Sequence, residues 1–375
     1  MKKIRVLVVE DSHTIRKYLV DVLAAAPDFE VVGEAADGEQ AIRLCESLRP
    51  DVVTMDIVLP LMTGVEATEY IMAWCPTPIV IVSASINRGE ALKTYDALAA
   101  GAVDLVDKPR ISEPRAEWEA EFLARVRMVS RIRVITHPRG RLQGSARLPA
   151  RVQLPQNAKP PAGSTAVATQ LRAAGAGTIR AIAIGASTGG PAAVAEILKA
   201  LPADFPIPLL IVIHVSDMFA FALAEWLNTQ SNLPVRFAIE GQALPLPGQQ
   251  PGALLAPAGA HLIVEAGLLR LVKTPERHSC RPSVDELFES VAAFLGSAAA
   301  CVLLTGMGRD GAAGLLVARS AGCLTMAQDE ASSIVFGMPG EAIRLNAASR
   351  VLALDQIGPA LASLGVKAPI AGGSF

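Results

Sequence analysis

Short apolar runs spaced by amphipathic segments set the tightest limit on what this chain can fold into. Ile4–Val9, Phe29–Glu34, Asp51–Met55, Pro78–Ser83 and Ala102–Val106 recur at intervals that leave room for one helix between each pair. Parallel strands need a long crossover, and a helix that crosses over also covers one face of the sheet. Alternation of this kind specifies an α/β fold with a doubly wound parallel sheet. From residue 181 onward similar runs return: Ala181–Ile184, Pro208–Ile213 and Ala298–Leu304. A second doubly wound α/β domain is expected there.

At 375 residues, 51% of them hydrophobic, the chain is long enough for two domains that each bury a core. Its formal net charge of −2 conceals three unlike regions: residues 1–130 carry −7, residues 131–177 carry +8, and residues 178–375 carry −3. The middle region has no acidic residue and is scattered with Pro, Gly, Ala, Gln and Arg, which neither periodicity nor turn spacing organises. It is expected to be a solvated spacer, with contact to the acidic first domain or to an acidic membrane surface as the alternatives. The expected order is a first domain over 1–130, the linker over 131–177, a second domain over 178–368 and a tail over 369–375.

Cys45, Cys75, Cys280, Cys301 and Cys323 contain no C-x-x-C pair, which disfavours disulfides and a thiolate metal site. The apolar run after Met1-Lys2-Lys3 is too brief for a signal peptide, and Val291–Leu304 is too short to span a bilayer. A cytoplasmic protein without membrane insertion is expected. The net acidic second domain shows no helix-turn-helix with a basic face, which argues against a nucleic-acid partner.

In an open α/β sheet the chemistry collects where strands end. The residues leaving the first five strands are Glu10 and Asp11, Asp56, Ser83 and Lys108. Three carboxylates at neighbouring strand ends repel one another unless a cation lies among them. Glu10, Asp11 and Asp56 therefore read as an oxygen-ligand site of the kind Mg²⁺ takes. The cation would neutralise phosphoryl oxygens while Asp56 attacks a phosphoryl donor, with Lys108 as a point charge and the Ser83 hydroxyl as a partner of the product. Singly, each residue has a plainer reading: a strand-end Asp caps a helix, and Lys108-Pro109 turns a loop. In register, these positions resemble a two-component receiver domain, which implies a flavodoxin-like sheet and phosphorylation of Asp56 by a partner histidine kinase. Leu105 departs from the pattern, standing where receivers usually carry an aromatic switch residue.

In the second half, Ala181–Ile184 runs into Gly185-Ala186-Ser187-Thr188-Gly189-Gly190-Pro191, a small-residue turn with Ser187 at its tip. A serine where a strand becomes a helix lies near backbone N–H groups that can hold an oxyanion. A tight turn that needs Gly and Ser for its dihedrals is the alternative. A serine nucleophile needs a base and a carboxylate to orient it. His214 ends the Pro208–Ile213 run on the same edge as Ser187 and is the favoured base; His261, expected at the opposite edge, and His278, in a polar loop, are the others. Asp310, in the glycine-rich loop after Leu304, is the favoured orienter, with an N-cap for the segment 312–321 as its plainer role. Gly185-x-Ser187-x-Gly189 also fits a nucleophile elbow, but there the acid precedes the histidine in the chain.

Ile184–Gly190, His214, Ala256-Pro257-Ala258-Gly259, Arg281–Asp285, Leu304–Gly311, and Gln328 through Phe336-Gly337-Met338-Pro339 together resemble the chemotaxis methylesterase (CheB) family of protein-glutamate methylesterases and glutamine deamidases. The resemblance implies Ser187 as nucleophile, His214 as base and Asp310 as orienter, with Thr188 and Met307 shaping the active site and its oxyanion pocket. It further implies chemoreceptors as substrates, a chemotaxis histidine kinase as phosphodonor, and a receiver that covers the Ser187 cleft until Asp56 is phosphorylated. Mg²⁺ is expected for the receiver and no cofactor for the ester chemistry. Arg309 and Ile213 depart from the family's usual residues without removing a triad atom. Ser283-x-x-Glu286 reads as a capping box that starts a helix, and Cys280 beside it as incidental. The competing readings are a regulator whose output is binding alone and a general small-ester hydrolase.

Overall fold

The apolar runs at the start of the chain become five parallel strands: β1 Ile4–Val9, β2 Phe29–Ala35, β3 Val52–Met55, β4 Ile79–Ser83 and β5 Asp104–Asp107. The structure is a computed structural model that describes residues 2–84, 88–109, 115–132, 134, 179–249 and 252–365. The chain divides into two units, Met1–Gln156 and Asn157–Phe375. The expected linker over 131–177, apart from residues 131, 132 and 134, and the expected tail over 369–375 lie outside the described residues. Among the described residues no helix is long and apolar enough to cross a membrane.

In the first unit the strand order is β2-β1-β3-β4-β5. The crossovers are α1 His13–Ala25, α2 Gly38–Leu48, α3 Gly64–Trp74 and α4 Arg88–Ala99, and α5 Arg115–Val129 follows β5. Three of them start on side-chain caps: Ser12 accepts from the Ile15 N–H, Asp37 from that of Gln40, and Thr63 with Glu66 closes a capping box. One face of the sheet buries Val6, Val8, Val52, Val80 and Val82 against Leu19 and Leu23 of α1 and Trp118 and Phe122 of α5, each side chain contributing roughly 2 kcal/mol. The chain winds outward from β1 to β2 and then returns past β1 to β3. The order therefore reverses between β1 and β3, the kind of crevice where such sheets bind ligands.

The second unit repeats the scheme on a larger scale. Its strands are β6 Ala181–Ala186, β7 Leu209–Ile213, β8 Val235–Phe237, β9 Ala253–Leu255, β12 Ala299–Leu303, β13 Leu324–Gln328 and β14 Arg350–Leu352, in the order β14-β13-β12-β6-β7-β9-β8. All the pairings are parallel. The helices are α6 Gly190–Ala200, α7 Asp217–Gln230, α8 Val284–Leu295, α9 Ala312–Ser320, α10 Met338–Arg344 and α11 Leu354–Leu364. Here the order reverses between β6 and β12. A separate antiparallel ribbon, β10 His261–Glu265 with β11 Leu268–Val272, packs on α8.

The ribbon corrects the expectation for His261, which belongs to no edge of the main sheet. Its side chain is fully buried; Nδ1 accepts from the Ser283 N–H at 3.1 Å and Nε2 donates to the Pro275 carbonyl at 3.2 Å. With both nitrogens spent it is not available as a base.

Candidate functional site

In the first unit, three strand ends converge. Lys108 Nζ lies 2.7 Å from Glu10 Oε2 and 2.8 Å from Asp56 Oδ2. The carboxylate oxygens of Glu10, Asp11 and Asp56 lie within 4.8 Å of one another. Glu10 and Asp56 are buried, while Asp11 is exposed. Burial, and then the charge of Asp56, push Glu10 up to about 7; burial raises Asp56 as well. Burial pulls Lys108 down, but Asp56 and Glu10 outweigh it and raise its pKa. Lys108 pairs with two of the three clustered carboxylates, and a hard divalent cation with oxygen ligands fits the remaining excess of negative charge. Asp56 Oδ1 accepts from the Ile57 N–H at 2.7 Å, so Oδ2 is the oxygen turned to Lys108. Ser83 ends β4 beside this cluster, its carbonyl accepting from the Lys108 N–H at 3.0 Å. Leu105, in β5, is buried.

In the second unit the reversal between β6 and β12 gathers the other set. Ser187 follows β6 and is held through its backbone: its N–H donates to the Thr305 carbonyl at 3.0 Å, and its carbonyl accepts from Gly190 at 2.7 Å. Gly189 sits at φ 76, in the left-handed region that favours glycine. The Thr305 hydroxyl donates to the Thr188 carbonyl at 3.0 Å and accepts from the Val335 N–H at 2.9 Å. His214 follows β7, and its N–H donates to the Ala186 carbonyl at 3.1 Å, which places it beside the serine turn.

Asp310 follows β12 and is buried. His214 Nε2 lies 2.9 Å from Asp310 Oδ2. A carboxylate only accepts, so Nε2 carries a proton, and in the neutral ring Nδ1 holds the lone pair. The same carboxylate accepts from Ser283 Oγ at 2.7 Å, Val284 N at 2.7 Å and Asp285 N at 3.2 Å, all from the start of α8. Nδ1 faces Cys280 Sγ at 3.6 Å. Burial pulls the His214 pKa down, but its hydrogen bonds to Asp310 and Cys280 outweigh that and lift it to about 9. Burial pushes Asp310 up, and the His214, Ser283 and Val284 hydrogen bonds more than offset it, so its pKa lies below the ordinary value. Ser187 Oγ has no hydrogen bond to the ring in this arrangement, a looseness common before substrate binds.

Two family models match the chain, the response regulator receiver domain over residues 6–115 and CheB methylesterase over residues 182–361. A protein-glutamate methylesterase/protein-glutamine glutaminase of Nitrosospira multiformis is 43% identical over 363 residues, which cover 96% of this chain and 97% of that protein. The chain belongs to the CheB methylesterase family. A second CheB-type relative, protein-glutamate methylesterase/protein-glutamine glutaminase 4 of Geobacter metallireducens, is 42% identical over 374 residues, 97% of this chain and 99% of its own. The crystal structure of the Thermotoga maritima CheB methylesterase catalytic domain is 33% identical and covers 50% of this chain and all of that one, with a TM-score of 0.47.

Within this CheB fold several sequence readings change. Asp310 is no N-cap, because Gly311 holds that position ahead of α9 and no side-chain cap bond forms. Ser283 closes no capping box; its hydroxyl goes to Asp310. Cys280, read from the sequence as incidental, has its Sγ 3.6 Å from His214 Nδ1. His278 lies beside Asp285, with Nε2 at 3.2 Å from Oδ2, and its Nδ1 accepts from Arg309 Nε at 3.3 Å. Thr188 is buried and Met307 is exposed. Thr305 was missed altogether; a polar residue breaking a buried strand pattern was the available signal.

Proposed function

We propose that this CheB-family chain hydrolyses glutamate methyl esters on chemoreceptors, releases methanol and deamidates receptor glutamines, under control of phosphorylation at Asp56. The observation that carries the reading is the hydrogen bond that His214 Nε2 donates to Asp310 at the strand edge that also holds Ser187. With Nε2 held by Asp310, Nδ1 is the base: it takes the Ser187 proton as Oγ attacks the ester carbonyl carbon. The protonated ring then gives that proton to the departing methoxide, leaving an acyl-serine. The neutral ring next takes a proton from water, hydroxide attacks the acyl carbon, and Ser187 leaves with the proton returned. With a glutamine side chain the leaving group is ammonia. The Met307 N–H makes no hydrogen bond among the described residues and is the proposed oxyanion donor. Thr188 shapes the pocket beside it. Ester hydrolysis by this route needs no metal.

In the receiver, Glu10, Asp11 and Asp56 would hold Mg²⁺, which supplies charge neutralisation for the incoming phosphoryl group. Asp56 is the acceptor, Lys108 and Ser83 its auxiliaries, and a chemotaxis histidine kinase the donor. The reading includes a receiver over 1–130, a linker over 131–177, a catalytic domain over 178–368 and a tail over 369–375, acting in the cytoplasm without nucleic acid or membrane insertion. Methanol release from methylated receptor tests it: wild type releases methanol and Ser187→Ala does not. Release by the variant at the wild-type rate would remove Ser187 as nucleophile, and turnover of small esters that rivals turnover of receptor would make this a general esterase.

A further inference from the structure

Asp310 is held by more than the histidine it orients. Ser283 is fully buried and occupies the N-cap of α8, yet no side-chain cap bond forms. An N-cap serine ordinarily turns its oxygen toward its own helix. Here the hydroxyl donates outward, to Asp310 Oδ1 at 2.7 Å, while the Val284 and Asp285 N–H groups reach the same carboxylate. Ser283 is fixed from behind, its own N–H donating to the buried ring of His261.

We propose that Ser283 is a positioning residue of the esterase: its hydroxyl takes up part of the negative charge of Asp310 and so limits how strongly that carboxylate holds the proton on His214. The proposal rests on the reading of His214 as base. Among the described residues, Ser283 and His214 are the two side chains hydrogen-bonded to Asp310. No other charged or titratable side chain among the described residues hydrogen-bonds Asp310. Asp285 faces Arg277 Nε at 3.3 Å and His278 Nε2 at 3.2 Å, and it accepts from the Gly314 N–H at 2.6 Å. Arg309 lies on His278, and Cys280 is on the far side of the His214 ring. A carboxylate that loses one donor concentrates its charge on those that remain. Removing the Ser283 hydroxyl therefore strengthens the pull on His214 and keeps the base protonated to higher pH.

The test is the pH profile of methanol release between pH 6 and 10 for the full chain as wild type, Ser283→Ala, Ser283→Cys and Ser283→Thr, with an NMR titration of the His214 ring alongside. For Ser283→Ala the midpoint of the profile and the ring's titration both move up by about half to one pH unit. At pH 7 that costs about three- to tenfold in rate, recovered at high pH with KM unchanged, since one pH unit is tenfold in the neutral fraction. Ser283→Thr keeps a hydroxyl and restores the wild-type profile. Ser283→Cys keeps the volume with a poorer donor, shifts in the same direction as alanine, and decides the matter if alanine prevents folding. A midpoint that stays put or falls, a loss that high pH does not recover, or threonine behaving as alanine overturns the proposal. Absence of methanol release from wild type would remove the functional reading, while the ring titration would still decide the role of Ser283.

Discussion

A histidine with a pKa near 9 is mostly protonated at neutral pH, and an imidazolium accepts no proton. The buried Asp310 carboxylate and the Cys280 thiol hold His214 in that state against the pull of burial. With His214 as the proposed base, activity needs the neutral ring, so kcat/KM should rise about tenfold per pH unit from pH 7 and level off above about 9. A rate profile of methanol release checks it, and a plateau already reached at pH 7 would show that the ring is not held this way. Asp310→Asn removes the charge that raises the ring and withdraws the acceptor that sets its tautomer; methanol release should fall by about 10⁴-fold while the ring's titration moves down toward its ordinary value. Ser187, His214 and Asp310 were legible because each follows a strand that its apolar run announces. Cys280 and Ser283 were not. Cys280 reaches Nδ1 from a turn in which His278 and Ser279 sit at φ 54 and φ 59, closed by reciprocal bonds between Arg277 and Cys280 at 3.2 and 3.0 Å. Two non-glycine residues in the left-handed region are something no propensity suggests.

At the scale of elements, each sheet reverses its order once, and each reversal carries a cluster of polar side chains. Strand-and-helix alternation made both sheets readable, because the parallel strands are buried on both faces and appear as continuous apolar runs. The three-residue strands β8, β9 and β14 and the antiparallel ribbon escaped, since three residues carry no period and the ribbon's two-residue turn, Ala266-Gly267 at φ 48 and φ 81, has alanine where such turns favour Asn, Asp or Gly. The loop after β12 shows how an element sets a residue. A Cβ on Gly306 would lie 2.8 Å from Ser187 Cβ and would also overlap Met338 Sδ. Gly306→Ala should therefore push Ser187, the proposed nucleophile, out of line and reduce kcat by about 100-fold, the cost of roughly an ångström of misplacement. Measured kcat beside the melting temperature checks it: a variant that loses stability but keeps kcat would show that this loop does not seat Ser187.

At the scale of the whole molecule, the receiver and the esterase are chemically complete on their own terms, one a carboxylate cluster with a lysine, the other a serine turn with a histidine and an acid. On the proposed reading, control by Asp56 is a population shift between states that differ in access to Ser187. A tenfold rise in rate needs a phosphorylated state that favours the open arrangement by only about 1.4 kcal/mol, which one new aspartyl phosphate can supply through its charge. Leu105 is buried in β5 and puts no aromatic ring at that position. With acetyl phosphate and Mg²⁺, methanol release from methylated receptor should rise about tenfold in wild type. Asp56→Ala should show no rise above its own basal rate, since it removes the proposed phosphoryl acceptor and leaves Glu10, the other carboxylate paired with Lys108, as a proposed metal ligand only. An equal rise in both proteins would mean that the phosphodonor acts elsewhere than on Asp56. No rise in a wild-type chain shown by mass to be phosphorylated would mean that the receiver does not govern access to Ser187.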